Sequence, residues 1–417
     1  MAQQTTPSVQ LQTPAVNTPS KTRVPFRAAT LERVDILAGE SQAMTASTQR
    51  IERTLEGAGY IFGLWLDVNA TAATSTAASV PAYAEDAPFN VLDSVIFRDV
   101  NGEICNLQGF NVWVADCING YAKNIPSFGN ASGAALPSAT GTGGVGTTAS
   151  QDGNIVLNVG SVGLSSTGAS AGGNFRFPLR VPVATNRRDL LGILANQDRA
   201  QKYSLRTDIA ASGAVFSTAP SSLPTVAINK FYEQYSVPLP TAPDGSPQDM
   251  FPAHFGSVMF HTQTVSESAP SNGSTVNHYV RRIGNTVRWF GLLFRSATAS
   301  TSTPIRGNAD ANPPSLLRLK LGEDSVFSET WNYRRGLMFE RYGFDMARGL
   351  AVWDFIHDFG PFSGFELGDD LVHSQALVNA QFQITYPSTA STWQVGSTLS
   401  LLTSDLIFSE PQVASVR

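Results

Sequence analysis

Short apolar runs punctuated by Gly, Pro and Asn recur along almost the whole chain from about Val24, and their spacing predicts strands far more often than helices. Gly59 to Val68 is apolar and aromatic and is bounded by Gly and Asn, as a buried strand should be. Val91 to Asp99 is followed by Asn101-Gly102 and then Glu103 to Leu107. An Asn-Gly pair between two such runs predicts a hairpin, because both turn positions need positive φ. Phe110 to Ile118 reads as a further strand. Strand character returns at Phe175 to Val183, Gln201 to Ile209 and Thr225 to Val237. Between the first two of these, Arg188 to Asn196 reads as the one helix, with Asn186 as N-cap and Asp189 in its first turn.

Two stretches break the pattern. Residues 125–173 are dominated by Gly, Ser, Ala and Thr and predict one long surface excursion. Val237 to Gly245 is rich in proline and marks a domain boundary. Beyond it the order repeats. Ser257 to Phe260 and Val287 to Phe294 open the second half, and Ser315 to Leu321 with Gly322 to Val326 parallels the earlier hairpin. Gly349 to Ile356 stands where the Phe177 strand stood, Ala380 to Pro387 parallels the Tyr203 strand, and Ser400 to Pro411 parallels Thr225 to Pro238. The last three of these pairs sit roughly 172–179 positions apart, a repeat of pattern and not of letters. The expected organisation is a flexible N-terminal arm over 1–20, a first domain over 21–238 and a second over 239–417.

Composition narrows the function. Charged residues make up only 15% of the chain, against about 25% in ordinary soluble domains, with 35 Gly and 24 Pro filling the gap. Such a surface suits broad protein contacts, whose centres are poor in Lys and Glu. A net charge of −5 argues against a dedicated nucleic-acid binder. No apolar run is long enough to span a membrane, and residues 1–20 carry no apolar core of a secretory signal, so synthesis in the cytoplasm is expected. Cys105 and Cys117 are then expected as free buried thiols.

No motif stands out as chemistry. Gly141 to Gly146 fits the G-x-G-x-x-G spacing and Gly168 to Gly172 the G-x-S-x-G elbow, but both lie in the Gly/Ser excursion. Neither has the strand and helix on which its chemistry depends. Asp354-Phe355-Ile356-His357-Asp358 is the one tight cluster of metal-capable side chains, and alternation along a strand separates Asp354 from His357. His254, His261, His278 and His373 are scattered. Asn69, Asn130 and Asn272 begin formal glycosylation sequons, incidental without a secretory signal. Arg187-Arg188, Arg281-Arg282 and Arg334-Arg335 are the densest basic spots and read as salt-bridge partners. No catalytic, cofactor-binding or metal-ligating residue is assigned.

Certain residues sharpen the doubled pattern. Val181-Pro182-Val183, Asp189 to Asn196 and Lys202 to Ala210 resemble the strand, D-L-x-G helix ending in L-A-N, and following strand of the tectivirus major capsid protein family. Tyr333-Arg334-Arg335 and Leu350 to Asp354 resemble its second-half counterpart, and the element order is similar over about 24–410. The resemblance implies an all-β double jelly roll, two tandem eight-stranded sandwiches with short helices in the loops. It implies a non-enzymatic capsid tile whose homotrimers have a pseudo-hexameric outline and fill an icosahedral shell around an internal membrane. The partners it implies are further copies, vertex or penton and minor capsid proteins, and membrane lipid through the N-terminal arm, with no sequence-specific nucleic acid. The location it implies is the virion. Two other readings stay open from the residues alone: a virion attachment or carbohydrate-binding module, and a tandem jelly-roll amidase or glycan hydrolase.

Overall fold

A computed structural model describes residues 22–74, 81–119, 173–185, 187, 190–198, 202–252, 255–266, 270–280, 286–298, 301–342, 346–355, 365–366, 380–388 and 393–407. Among these residues sixteen strands carry the architecture, eight in each half. In the first they are β1 (Glu32–Ala43), β2 (Gln49–Thr54), β3 (Tyr60–Thr71), β4 (Leu92–Arg98), β5 (Glu103–Leu107), β6 (Phe175–Val181), β7 (Ser204–Ile209) and β8 (Thr225–Tyr235). In the second they are β9 (Val258–Val265), β10 (Thr275–Tyr279), β11 (Thr286–Thr298), β12 (Leu316–Leu321), β13 (Asp324–Glu329), β14 (Leu350–Asp354), β15 (Ala380–Thr385) and β16 (Thr398–Ile407). Helices α1 (Gly109–Ile118) and α2 (Trp331–Tyr342) follow β5 and β13 respectively.

The sheets show why the halves look alike in sequence. One sheet runs β1-β8-β3-β6, and its counterpart in the second half runs β9-β16-β11-β14. The facing sheets are β2-β7-β4-β5 and β10-β15-β12-β13. Even the irregularities repeat. The hairpin β4–β5 bulges at Ile104, between the pairs Phe97/Cys105 and Arg98/Glu103. The hairpin β12–β13 bulges at Val326, between Leu319/Phe327 and Lys320/Ser325. Strand β3 bulges at Phe62 against β8, and β11 at Arg288 against β16. A bulge re-aims every side chain beyond it, so matched bulges set a residue-by-residue correspondence between the halves.

Alternation along the strands fills the space between sheets. In the first sandwich Leu64, Leu66, Val68 and Ile228 meet Phe97 and Leu205, all buried. In the second Phe290, Leu292 and Phe294 meet Leu317, Leu319 and Phe382. Each such side chain contributes about 1.5–3 kcal/mol on leaving water. The strands expected at 59–68, 91–99, 103–107, 175–183, 201–209 and 225–237, and their second-half partners, lie where the pattern puts them.

Two local readings are corrected. Phe110 to Ile118 is helix α1 and not a strand; it is buried at nine of its ten positions, so its apolar residues mark neither period. The helix expected over 188–196 does not form. Leu190 and Gly192 hold φ of 54° and 87°, outside the right-handed helical region, and the chain turns into a two-residue strand at Leu194–Ala195 beside β3. Leu190, Leu191, Ile193 and Leu194 are all buried, so the run mimics a helix's apolar content without its solvent face. Asn186, Arg188 and Asp189 lie outside the described residues, as do the arm 1–20 and the excursion 125–172.

Candidate assembly interface

The two sandwiches are joined by backbone. Strand β5 of the first lies parallel to β9 of the second, with His261 opposite Cys105 and Thr262 opposite Asn106, and this pair makes one ten-stranded sheet across the molecule. The next residue along β9, Gln263, locks the joint with its side chain. Its Oε1 accepts from Gln108 N at 3.0 Å and from Asn111 Nδ2 at 2.6 Å, satisfying an amide at the start of α1 that has no intrahelical partner. The apolar core of the first sandwich continues through the joint to Trp289, Leu293, Val352 and Leu402 of the second.

An ionic clamp closes the other side of the joint. Asp86 accepts from Arg295 at 2.7 Å and from Arg306 at 2.6 Å, while Glu85 accepts from the backbone N of Gly307 at 2.6 Å. Arg306 is fully buried, with its guanidinium 4.2 Å from the centre of the Phe110 ring. Burial would raise the Asp86 carboxyl, but Arg295 and Arg306 outweigh it and hold the group at about 2.

Other edges face outward. Among the described residues β1 pairs only with β8, and β13 only with β12. Val34 and Ile36 of β1 are exposed, the latter at 72%, and Tyr333 and Phe339 of α2 are exposed as well. An edge strand of twelve residues with exposed apolar side chains is a template for another chain.

Chemistry-bearing groups are put to structural use. His261 is wholly buried beside the joint; burial, with Arg288 and Arg180, pushes its imidazole down to about 3. Ser266 Oγ lies 2.5 Å from His278 Nδ1, and Tyr386 Oη 3.4 Å from Nε2, the arrangement nearest to a nucleophile–base pair. His278 is buried on β10, and the burial lowers it to about 4. Asp354 is buried at the end of β14 and accepts from Tyr342 Oη at 2.7 Å; His357 and Asp358 lie outside the described residues. Arg334 pairs with Glu329 and stacks on Trp353, and Arg335 donates to the carbonyls of Met346 and Ala347. Arg187 bridges Glu32 and Glu233. Asn69 lies within β3, and Asn272 accepts from Trp393 N. Cys105 and Cys117 are free and buried. No group of three or more His, Cys, Asp or Glu suited to a metal ion occurs among the described residues, and no described helix is long and apolar enough to cross a membrane. The motifs at 141–146 and 168–172, Arg281-Arg282, His254, His373 and Asn130 lie outside the described residues.

The joint itself was not legible in sequence, because Gln263 and Asn111 carry no local signal of their pairing. No protein-family model matches the chain, and no curated protein matches it. Solved structures do. The chain is similar to the STIV MCP at 11% identity, over 93% of this chain and 100% of that one, with a TM-score of 0.56. It is similar to a chain of the Sulfolobus turreted icosahedral virus structure at 12% identity, over 90% and 91%, with a TM-score of 0.57. It is also similar to a chain of the PBCV-1 virus capsid at 11% identity, over 90% and 94%, with a TM-score of 0.54. At these identities the likeness establishes the fold, a double jelly roll.

Proposed function

We propose that the chain is a major capsid protein, a non-enzymatic tile whose copies form pseudo-hexameric trimers that pave an icosahedral virus shell. The observation that carries this reading is that the likeness to a capsid chain runs over 93% of this chain and the whole of the other. Both sandwiches therefore fall within the shared fold. A tile needs a stiff body and unsatisfied edges. The continuous sheet and the Asp86 clamp supply the first, and β1 and β13 the second. The Ser266–His278–Tyr386 chain, buried at His278 and Tyr386 and half-buried at Ser266, suits a lock between β10, β15 and the end of β9 better than a site that admits substrate.

The finer parts of the proposal follow from that role. Residues 1–20 serve as an arm, 21–238 as the first jelly roll with its excursion at 125–173, and 239–417 as the second. The protein is made in the host cytoplasm and resides in the virion. The arm contacts the lipid of an internal membrane, and vertex and minor capsid proteins complete the shell.

Light scattering on the purified protein across a range of salt tests the reading. A stable species near three times 44.5 kDa is expected. A chain that stays monomeric at every concentration would overturn it.

A further inference from the structure

Inside the chain, the joint consists of β5 and α1 on one side and β9 on the other. The second half contains the counterparts of β5 and α1, and the first half contains the counterpart of β9. The matched bulges at Ile104 and Val326 set Cys105 on Phe327 and Asn106 on Ser328. Carried on through the helix that follows at once, the same register sets Asn111 on Tyr333. The matched bulges at Phe62 and Arg288 set Glu233 on Ser404 and Phe231 on Leu402. Their ladder partners on the edge strands then coincide as well, Val34 with His261 and Ile36 with Gln263.

These matched positions differ in what covers them. His261 and Asn111 are wholly buried by the internal joint, whereas Val34 is 59% and Tyr333 57% exposed. Helix α1 buries nine of its ten residues and α2 only three of twelve. Each chain therefore has one joint closed within it and the two complementary halves of the same joint left open at its outer sides.

The geometry points to a second copy of this chain as the occupant, an inference that rests on the self-assembling reading above and specifies its contact. Strand β13 and helix α2 of one copy dock on β1 of the next as β5 and α1 dock on β9. The new ladder is parallel, with Val34 beside Phe327 and Asp35 beside Ser328. Ile36 meets Tyr333 where Gln263 meets Asn111 within the chain. The change of chemistry fits the change of task. A joint within one chain is held together covalently and can be polar, whereas a joint between chains draws its affinity from apolar and aromatic anchors. Because the two contacting surfaces differ, the contact is heterologous and adds copies in one rotational sense until a ring closes.

Cross-linking tests this pairing. Ile36→Cys and Tyr333→Cys place thiols at two exposed positions, while the native Cys105 and Cys117 are buried. Co-expressed, the two single variants are expected to give a covalent dimer with a short bismaleimide, its linked peptides identified by mass spectrometry. Neither alone should do so, and the double variant should close into a covalent ring. Ile36→Lys and Tyr333→Glu should each raise the concentration needed for assembly at least tenfold and restore it when combined, with circular dichroism unchanged. Oligomers in which the Ile36→Cys variant links to itself, or that ignore both charged substitutions, would overturn this joint and leave the capsomer reading standing. A strictly monomeric wild-type chain would overturn both.

Discussion

Arg306 donates from Nε to Asp86 Oδ1 at 2.6 Å, and the two residues belong to opposite halves of the molecule. Arg306 also donates to the backbone carbonyls of Glu85 and Arg348, so one wholly buried cation gathers three separate segments. Arg295 completes the cluster from β11.

Removing the anion from this cluster should be far more damaging than removing a surface charge. Asp86→Ala leaves Arg306 buried without its carboxylate, a change that costs about 3–5 kcal/mol. Urea denaturation measures it. The same carboxyl sets an acid limit: it titrates at about 2 in the fold against an ordinary value of 3.8. Its contribution is complete above about pH 4 and is lost as the pH falls toward 2, on the order of 2 kcal/mol in all. Asp86→Asn should lack that component of the pH dependence.

His261 imposes a second acid dependence, in a higher window. In the unfolded chain the ring takes up a proton near pH 6.5, but in the fold only near pH 3. Protonation thus favours the unfolded chain. Stability from this group is full above about pH 6.5 and falls steadily below it, by roughly 3 kcal/mol at pH 4.5. His261→Gln should flatten the slope between pH 6.5 and 4.5 in denaturation curves, whatever it does to stability at neutral pH.

Gly192 separates a helix from a turn by experiment. In a helix interior, Gly→Ala stabilises by about 1 kcal/mol. Here φ is 87°, and an added Cβ would sit 2.7 Å from the Val183 carbonyl oxygen. Gly192→Ala is therefore expected to destabilise by about 1–3 kcal/mol, measured as a lower urea midpoint.

Burial raises both thiols, Cys117 with Asp116 alongside and Cys105 with Glu103. Neither should react with a thiol reagent at pH 8 while the protein is folded, and both should react in denaturant. A reactive Cys105 under native conditions would show that the joint strand β5 opens, and a reactive Cys117 that helix α1 does.

Most strands were legible because alternation in a half-buried sheet writes itself into the local sequence. The failures occur where that link breaks. Strand β1 mixes Val34, Ile36 and Leu37 with Glu32, Arg33 and Asp35, and an edge strand largely exposed on its outer face gives no clean apolar period. Helix α1 packs on β4, β5 and β6 of the first sandwich and meets Gln263 and Arg306 of the second, so its β-branched and aromatic residues serve packing and mislead propensity. The run at 190–195 is apolar because it plugs the end of a sandwich, not because it forms a helical stripe. The repeat of the two halves could be read in the order of their elements, but its offset drops from about 222–227 before the excursion at 125–173 to about 171–176 after it, and the Gln263–Asn111 contact depends on residues 152 positions apart and needed the fold.

The parallel pair that makes one sheet out of two has a mechanical meaning. Tandem domains ordinarily bend about a linker, since few bonds cross the plane between them. Here that plane is crossed by a β-ladder, a shared apolar core and a buried ion cluster, so flexing would have to shear all three together. The molecule is a plate without a crease, and heating should melt both halves in a single step.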